Sequence, residues 1–202
     1  AAGVGLGGIT AMNEAGLTLT VHQHMFTDKT KLGGTPIGVA GDRVMREAEN
    51  LHDAERILAE QTPIGCWTYL VADGKNREVL CHEENPFRKA VRHLGSHNSG
   101  DDTFGYANVY LDEELGATEC NLYGSYWRAN AGRHKRANDL LREHHGEHTP
   151  ETLASILADT GNPACRLRDA IAMVMTVGSV VFRPEDGAFW VGTGQAATSR
   201  GT

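Results

Sequence analysis

Alternation of apolar and polar positions predicts three pairs of strands along the chain. In the first pair, Thr alternates with Leu and Val directly after the turn sequence Asn13-Glu-Ala-Gly16. The other two pairs flank similar turn residues, which favour tight hairpins. The predicted hairpins cover residues 9–25, with the turn at 13–16; residues 66–72 and 78–82, with the turn at 73–76; and residues 173–182 and 188–193, with the turn at 183–187.

Helical periodicity and capping residues predict four helices, at residues 39–49, 51–60, 126–144 and 150–158. Asn50 with Asp53 three residues later is typical of a helix start, and so is Thr149 followed by Pro. Residues 27–38 and 85–110 are rich in Gly and polar residues and are predicted to be loops, the second leading into a strand at 106–111. Hairpins and helix pairs in separate blocks indicate an α+β fold.

Composition argues against several classes of protein. The 202 residues suit a single domain over 1–202, and no apolar run reaches the roughly 20 residues that a membrane span needs. A formal charge of −7, with Lys and Arg spread along the chain, disfavours a nucleic-acid partner. Four widely spaced cysteines predict no metal site and no disulfide framework, but buried thiols in a reducing, cytoplasmic compartment. No cofactor is predicted.

Two residues could take part in catalysis. Asn108 lies among aromatic and apolar neighbours in Tyr106-Ala-Asn-Val-Tyr110, where its amide N–H₂ could donate to a developing oxyanion. Arg133 shares a predicted helix face with Arg136 and could hold a carboxylate or order a catalytic group. Without further context, an Asn that bonds loop backbone and a solvated basic helix face are the commoner arrangements.

Other polar groups have simpler alternatives. His22, Gln23 and His24 could contact a substrate carbonyl, although such residues more often only end a strand. The run at 143–148 contains three His, but Gly146 breaks any fixed face, so we interpret the run as a polar loop. Cys66 follows a Gly, as a self-cleaving nucleophile would, but its place in a predicted strand indicates a buried structural thiol.

Several short stretches follow one another in the order found in one enzyme family. They are residues 10–21 with Met-Asn-Glu, 46–58, 69–74, Ala107-Asn108, 133–136 with Leu140-Leu141, 149–153, and 176–182 with Trp190-Val191. On these residues, nearly the whole chain resembles the isopenicillin N acyltransferase and choloylglycine hydrolase group of N-terminal-nucleophile (Ntn) amidohydrolases.

The resemblance implies a four-layer αββα sandwich, here without its N-terminal strands. It also implies that an N-terminal Cys, released by autoproteolysis, attacks a linear amide of a small acylated amine and passes the acyl group to water or to an amine acceptor. The chain has no initiator Met, and no residue before Ile9 can supply the nucleophile. We therefore expect the C-terminal part of a longer chain, inactive by itself.

The resemblance also assigns site residues. Asn108 matches the Asn that donates to the oxyanion, and Arg133 matches an Arg near the nucleophile, although Gly132 replaces the usual Ser. A second oxyanion Asn of the family corresponds to His22 and Gln23 here, of which Gln23 could be the donor. The alternative to an enzyme is a non-catalytic homologue that acts as a binding or scaffold protein.

Two further expectations concern the surface. The loops at 27–38 and 95–105 are predicted to select the substrate, because such loops vary independently of the scaffold. Trp127, or strand edges without a partner strand, could mediate homo-oligomer formation.

Overall fold

The computed structural model describes residues 8–24, 27–95, 102–119, 124–161, 170–173 and 176–193, with side chains in the long helix described from residue 129. These ranges confirm an α+β architecture of helices and antiparallel strands. They divide into two compact units. The first takes its residues from Ala1–Asp102, Tyr110–Cys120 and Pro184–Gly187, and the second from Thr103–Val109, Asn121–Arg183 and Ala188–Thr202.

The first unit is built on a five-stranded antiparallel sheet. Its strands lie in sequence order: β1 (Thr10–Met12), β2 (Leu17–Gln23), β3 (Trp67–Asp73), β4 (Glu78–Asn85) and β5 (Arg88–Gly95). The first two predicted hairpins are confirmed. Asn13 closes the β1–β2 turn, because its Oδ1 accepts a hydrogen bond from the backbone N–H of Leu17, while Gly16 takes the positive φ of 85° that the turn requires.

Two helices cover one face of this sheet. α1 (Ile37–Glu47) begins two residues earlier than predicted, and α2 (Leu51–Glu60) has the predicted bounds. The N-cap is also confirmed, since Asn50 Oδ1 accepts from Asp53 N at 3.0 Å. The buried apolar residues shared by the helices and strands form one core: Leu17, Leu19, Ala40, Val44, Ala48, Leu51, Ala54, Ile57, Leu58, Tyr69, Val71 and Leu80.

The loop predicted at 85–110 is wrong in two places. Residues Arg88–Gly95 form β5, which pairs with β4 over eight residues. Four basic residues hide the alternation of this strand, as is common where a strand forms the edge of a sheet. The strand predicted at 106–111 does not form, and the following residues contain a short helix, α3 (Glu113–Gly116), that was not predicted.

The second unit holds the remaining elements. α4 (Gly124–Glu143) and α5 (Pro150–Leu157) confirm the two predicted helices, and Thr149 Oγ1 caps α5 by accepting from Thr152 N at 3.2 Å. β6 (Gly178–Arg183) and β7 (Ala188–Thr193) confirm the third hairpin. β6 begins later than predicted, and residues 174–175 of that prediction lie outside the described residues. In the described ranges, no helix combines the length and apolar character that crossing a bilayer requires.

Candidate active site

Asn108 has an unusual backbone conformation in the second unit. Its φ is +32°, in the region that L-residues seldom adopt and that Asn tolerates better than most. Such a conformation is unfavourable unless the surroundings hold it. The segment 103–109 lies along α4, and contacts from that helix provide the restraint.

Asn108, Asn130 and Arg133 form a closed ring of hydrogen bonds. The Arg133 guanidinium donates to Asn108 Oδ1 at 3.2 Å and to Asn130 Oδ1 at 2.6 Å. The Asn130 amide donates in turn to the main-chain carbonyl of Asn108 at 3.1 Å. The two residues that the sequence analysis nominated for catalysis are therefore in direct contact.

The donor and acceptor roles in this ring are fixed by chemistry. A guanidinium can only donate, so both amide oxygens must face Arg133. The N–H₂ group of Asn108 consequently points away from the guanidinium. Because the positive charge polarises the Asn108 amide, its N–H becomes a stronger donor toward a developing negative charge.

Two further contacts fix the same segment on α4. Asn138 brackets Gly105: its Nδ2 donates to the Gly105 carbonyl at 2.9 Å, and its Oδ1 accepts from the Gly105 N–H at 3.1 Å. A side chain at Gly105 would be crowded here, since a Cβ would lie 3.0 Å from the backbone N of Asn138. The rings of Tyr106 and His134 meet edge to face, with centroids 6.0 Å apart, and burial lowers the pKa of His134.

His22 and Gln23 belong to the first unit, at the end of β2. They are consecutive strand residues, so their side chains lie on opposite faces of the sheet. Gln23 is on the face covered by α1 and α2, where it pairs with Trp67, and His22 pairs with Thr68 on the other face. Only one of the two can therefore line a pocket on a given face.

The next residue, His24, is buried and is the centre of a polar cluster. Its Nδ1 lies 3.0 Å from Glu119 Oε1, its Nε2 lies 2.8 Å from Thr68 Oγ1, and its ring stacks on Tyr110 at 3.5 Å. The arrangement resembles a hydroxyl, imidazole and carboxylate relay. Thr68 is completely buried, however, so its hydroxyl cannot meet a substrate, and the cluster serves to tie segments of the first unit together.

Cys66 and Cys81 are unsuited to nucleophilic attack. Both are buried free thiols, as predicted. Burial raises the pKa of Cys66, whose Sγ lies 3.2 Å from the Lys29 carbonyl, and burial followed by the nearby Glu83 raises the pKa of Cys81 to about 12. Their thiolate forms are therefore scarce at neutral pH. Cys120 and Cys165 lie outside the described residues.

The other predicted features are located only in part. The loop at 27–38 is confirmed up to Pro36, and Leu32 in it is 98% exposed. Residues 96–101 of the second candidate loop, and the side chain of Trp127, lie outside the described residues. The His-rich run at 143–148 is a polar turn after α4, with Gly146 at φ 80°, and among the described side chains no group of three or more His, Cys, Asp or Glu could hold a metal ion.

Sequence reasoning missed Asn130 and Asn138, although one signal was available. Asn130 precedes Arg133 by three residues, and Asn138 follows His134 by four, so these residues share one face of the predicted helix. That spacing would have grouped Asn130 with Arg133. The contacts of both Asn residues with residues 105–108 depend on tertiary structure and could not be read from the spacing.

Comparison with known proteins places the chain in a family. A search of curated proteins finds no match. The family model described as acyl-coenzyme A:6-aminopenicillanic acid acyl-transferase matches residues 2–198, nearly the whole chain. As the resemblance predicted, the chain belongs to this acyltransferase family, which is an Ntn-hydrolase-like family.

Proposed function

We propose that this protein is a self-processing N-terminal-Cys amidohydrolase or acyltransferase, which cleaves the linear amide bond of a small acylated amine through an acyl-enzyme. Family membership supports an acyl-transfer reaction at an amide. The observation that carries the proposal is the Asn108 amide, whose oxygen is held by Arg133 and whose backbone is held at φ +32°. A pre-oriented N–H donor is what acyl transfer requires at its oxyanion.

The proposed reaction has two halves. The α-amine of the N-terminal Cys takes the thiol proton, and the sulfur attacks the amide carbonyl carbon, whose oxygen becomes an oxyanion that accepts from the Asn108 N–H₂. Collapse of this intermediate breaks the C–N bond, and the ammonium proton passes to the leaving amine. Water or an acceptor amine then attacks the thioester and releases the Cys.

Other residues have supporting roles in this proposal. Arg133 polarises and orients Asn108. The resemblance alone supports Gln23 or His22 as a contact to the substrate. The complete protein is proposed to be one Ntn domain with four αββα layers, to which the sheet of β1–β5 and its two covering helices contribute. The proposed partners are a small amide substrate, an acyl acceptor and further copies of the same chain.

Expression from the complete coding region tests the proposal directly. We expect intact mass and N-terminal sequencing to find a mature chain that begins with Cys. On N-acyl-p-nitroanilides from acetyl to dodecanoyl, Asn108→Ala should lower kcat by about 10²–10³-fold with little change in KM, because one oxyanion donor is lost. Val109→Ala, next to Asn108, is the matched control and should retain kcat within about threefold.

The opposite result would remove the enzyme assignment. An unprocessed chain that forms no acyl-enzyme with any acyl probe would favour the binding or scaffold homologue, in which the fold is retained without the reaction. A processed, active enzyme in which Asn108→Ala has the parental kcat would leave the activity standing and remove Asn108 from the oxyanion site.

A further inference from the structure

Asn130 uses both ends of its side-chain amide at the candidate site. It is buried in α4, with 7% of its surface exposed. Its Oδ1 accepts from the Arg133 guanidinium at 2.6 Å, and its Nδ2 donates to the main-chain carbonyl of Asn108 at 3.1 Å. The Asn130 amide thus connects the main chain of the oxyanion donor, Asn108, to the guanidinium of Arg133, which orients the Asn108 side chain.

These two bonds act on different torsions of Asn108. The bond to its main-chain carbonyl restrains the backbone, which holds a φ of +32° that an L-residue seldom adopts. The bond to Arg133 keeps the guanidinium where it reaches Asn108 Oδ1, and thereby restrains the side chain. Both the position and the direction of the Asn108 N–H₂ group therefore depend on Asn130.

We propose that Asn130 is a positioning residue for the oxyanion donor Asn108, an inference that rests on the function proposed above. Asn130 acts through Asn108 and Arg133, and its own amide is engaged with both of them. A displacement of about 1 Å at a reacting group can cost about 10²-fold in rate. Loss of the two Asn130 hydrogen bonds should therefore be measurable in kcat.

The substitution Asn130→Asp removes the donor end of the amide and keeps the acceptor end, with almost no change in side-chain size. A carboxylate still accepts from Arg133, but it cannot donate, and its second oxygen would face the Asn108 carbonyl across the distance of the former hydrogen bond. Repulsion between the two oxygens should turn the Asn108 peptide. We expect kcat on the best N-acyl-p-nitroanilide to fall about 10–100-fold, with KM within about threefold of the parent.

Asn13→Asp is the matched control, in the first unit. The side-chain amide of Asn13 is also used at both ends: its Oδ1 accepts from the backbone N–H of Leu17 at 2.9 Å, and its Nδ2 donates to the Ala48 carbonyl at 2.9 Å. Neither partner belongs to the segment 103–109 or to α4. The control should therefore lower the melting temperature, as Asn130→Asp does, and keep kcat within about twofold.

A double-mutant cycle distinguishes positioning from a general structural role. If Asn130 acts through Asn108, then Asn130→Asp should lower kcat little further in an Asn108→Ala background. Parental kcat in Asn130→Asp, or losses that multiply in the double variant, would overturn the proposal. Should Asn130→Asp fail to fold, Asn130→Ser, which lacks both the donor N–H₂ and the charge, takes its place in the same cycle.

Two further readouts separate this proposal from the proposed function. The rate of self-processing of the precursor, followed by intact mass, requires no external substrate and should fall in the same order of variants. A crystal structure of Asn130→Asp should show Asn108 at negative φ, and an unchanged positive φ would refute the positioning role. Loss of kcat in Asn108→Ala but not in Asn130→Asp would refute this inference alone, whereas parental kcat in Asn108→Ala would refute the oxyanion assignment.

Discussion

Single side chains on α4 determine how the segment 103–109 is held. Asn130, His134 and Asn138 recur every four residues, which places them along one face of the helix. Each contacts a different residue of the segment: Asn108, Tyr106 and Gly105, respectively. The segment 103–109 has no strand pairing, and these side-chain contacts fix it. They hold Asn108 at a φ that L-residues seldom adopt.

His134 should make stability depend on pH. Burial lowers its pKa from about 6.5, so the unfolded chain binds a proton that the folded protein does not hold. The free energy of unfolding should therefore fall as the pH drops below about 6.5, and this loss should be complete below the folded pKa. Urea unfolding monitored by circular dichroism, at pH values from about 7.5 to about 5 that lie on both sides of about 6.5, measures the slope of the unfolding free energy against pH.

His134→Gln should reduce that slope, because the substituted side chain has no proton to bind in this range. His52→Gln is the control, since His52 lies exposed on α2, and it should retain the slope of the parent. An unchanged slope in His134→Gln would show that another group carries the pH dependence.

The sequence nominates candidate site residues, but it does not predict how they are arranged. Asn108 and Arg133 are chosen by residue type and by resemblance, and the structure brings them within 3.2 Å. Asn130 escapes prediction because an Asn within a helix is ordinarily a solvated residue, and only tertiary contact reveals that both ends of its amide are used. His22 and Gln23 illustrate the same limit, since strand pairing decides which of them faces a given side.

At the scale of elements, the end of α2 is held by a residue from another strand. The last turn of α2 contains no basic residue. Lys89 of β5 takes this role, since its ammonium donates to the carbonyls of Leu58 at 2.7 Å and Ala59 at 2.9 Å, and also to that of Gln61. A cation at this position satisfies carbonyls that lack helical partners and opposes the negative end of the helix dipole.

Lys89→Met should therefore destabilise the first unit. The substitution keeps an apolar stem of similar length but leaves three carbonyls without their donor, which should cost about 2 kcal/mol of unfolding free energy. Lys75→Met, in the exposed β3–β4 turn, is the control and should change the free energy by less than about 0.5 kcal/mol. Chemical denaturation measures both, and equal effects would show that the cap contributes little.

Capping chemistry also explains which elements the sequence predicts well. α2 and α5 begin where Asn50 and Thr149 predict, because each side chain bonds to the backbone N–H three residues later. β5 was missed because nothing local specifies it, and its residues become a strand only by pairing with β4. The apolar run at 106–111 gives the opposite error, since hydrophobicity predicts a strand although Gly105 and Asn108 bond to α4 instead.

At the scale of the whole molecule, the burial of two thiols makes their reactivity depend on unfolding. Cys66 and Cys81 lie at 3% and 0% exposure, and burial raises the pKa of each. Alkylation requires a thiolate that the reagent can reach. Both cysteines should therefore react only when the surrounding structure opens, whereas a catalytic N-terminal Cys must be reactive in the folded protein.

Peptide mapping after alkylation tests this difference. In native protein from the complete coding region, iodoacetamide at neutral pH should modify the proposed N-terminal Cys and abolish activity, with the peptides that contain Cys66 and Cys81 unmodified. Those two peptides should acquire label as denaturant unfolds the protein, in parallel with the loss of circular dichroism, because global opening is the route to core residues. Rapid native labelling of Cys66 or Cys81 would contradict the packing described for the first unit, whereas inactivation without label on an N-terminal Cys would move the nucleophile to another residue.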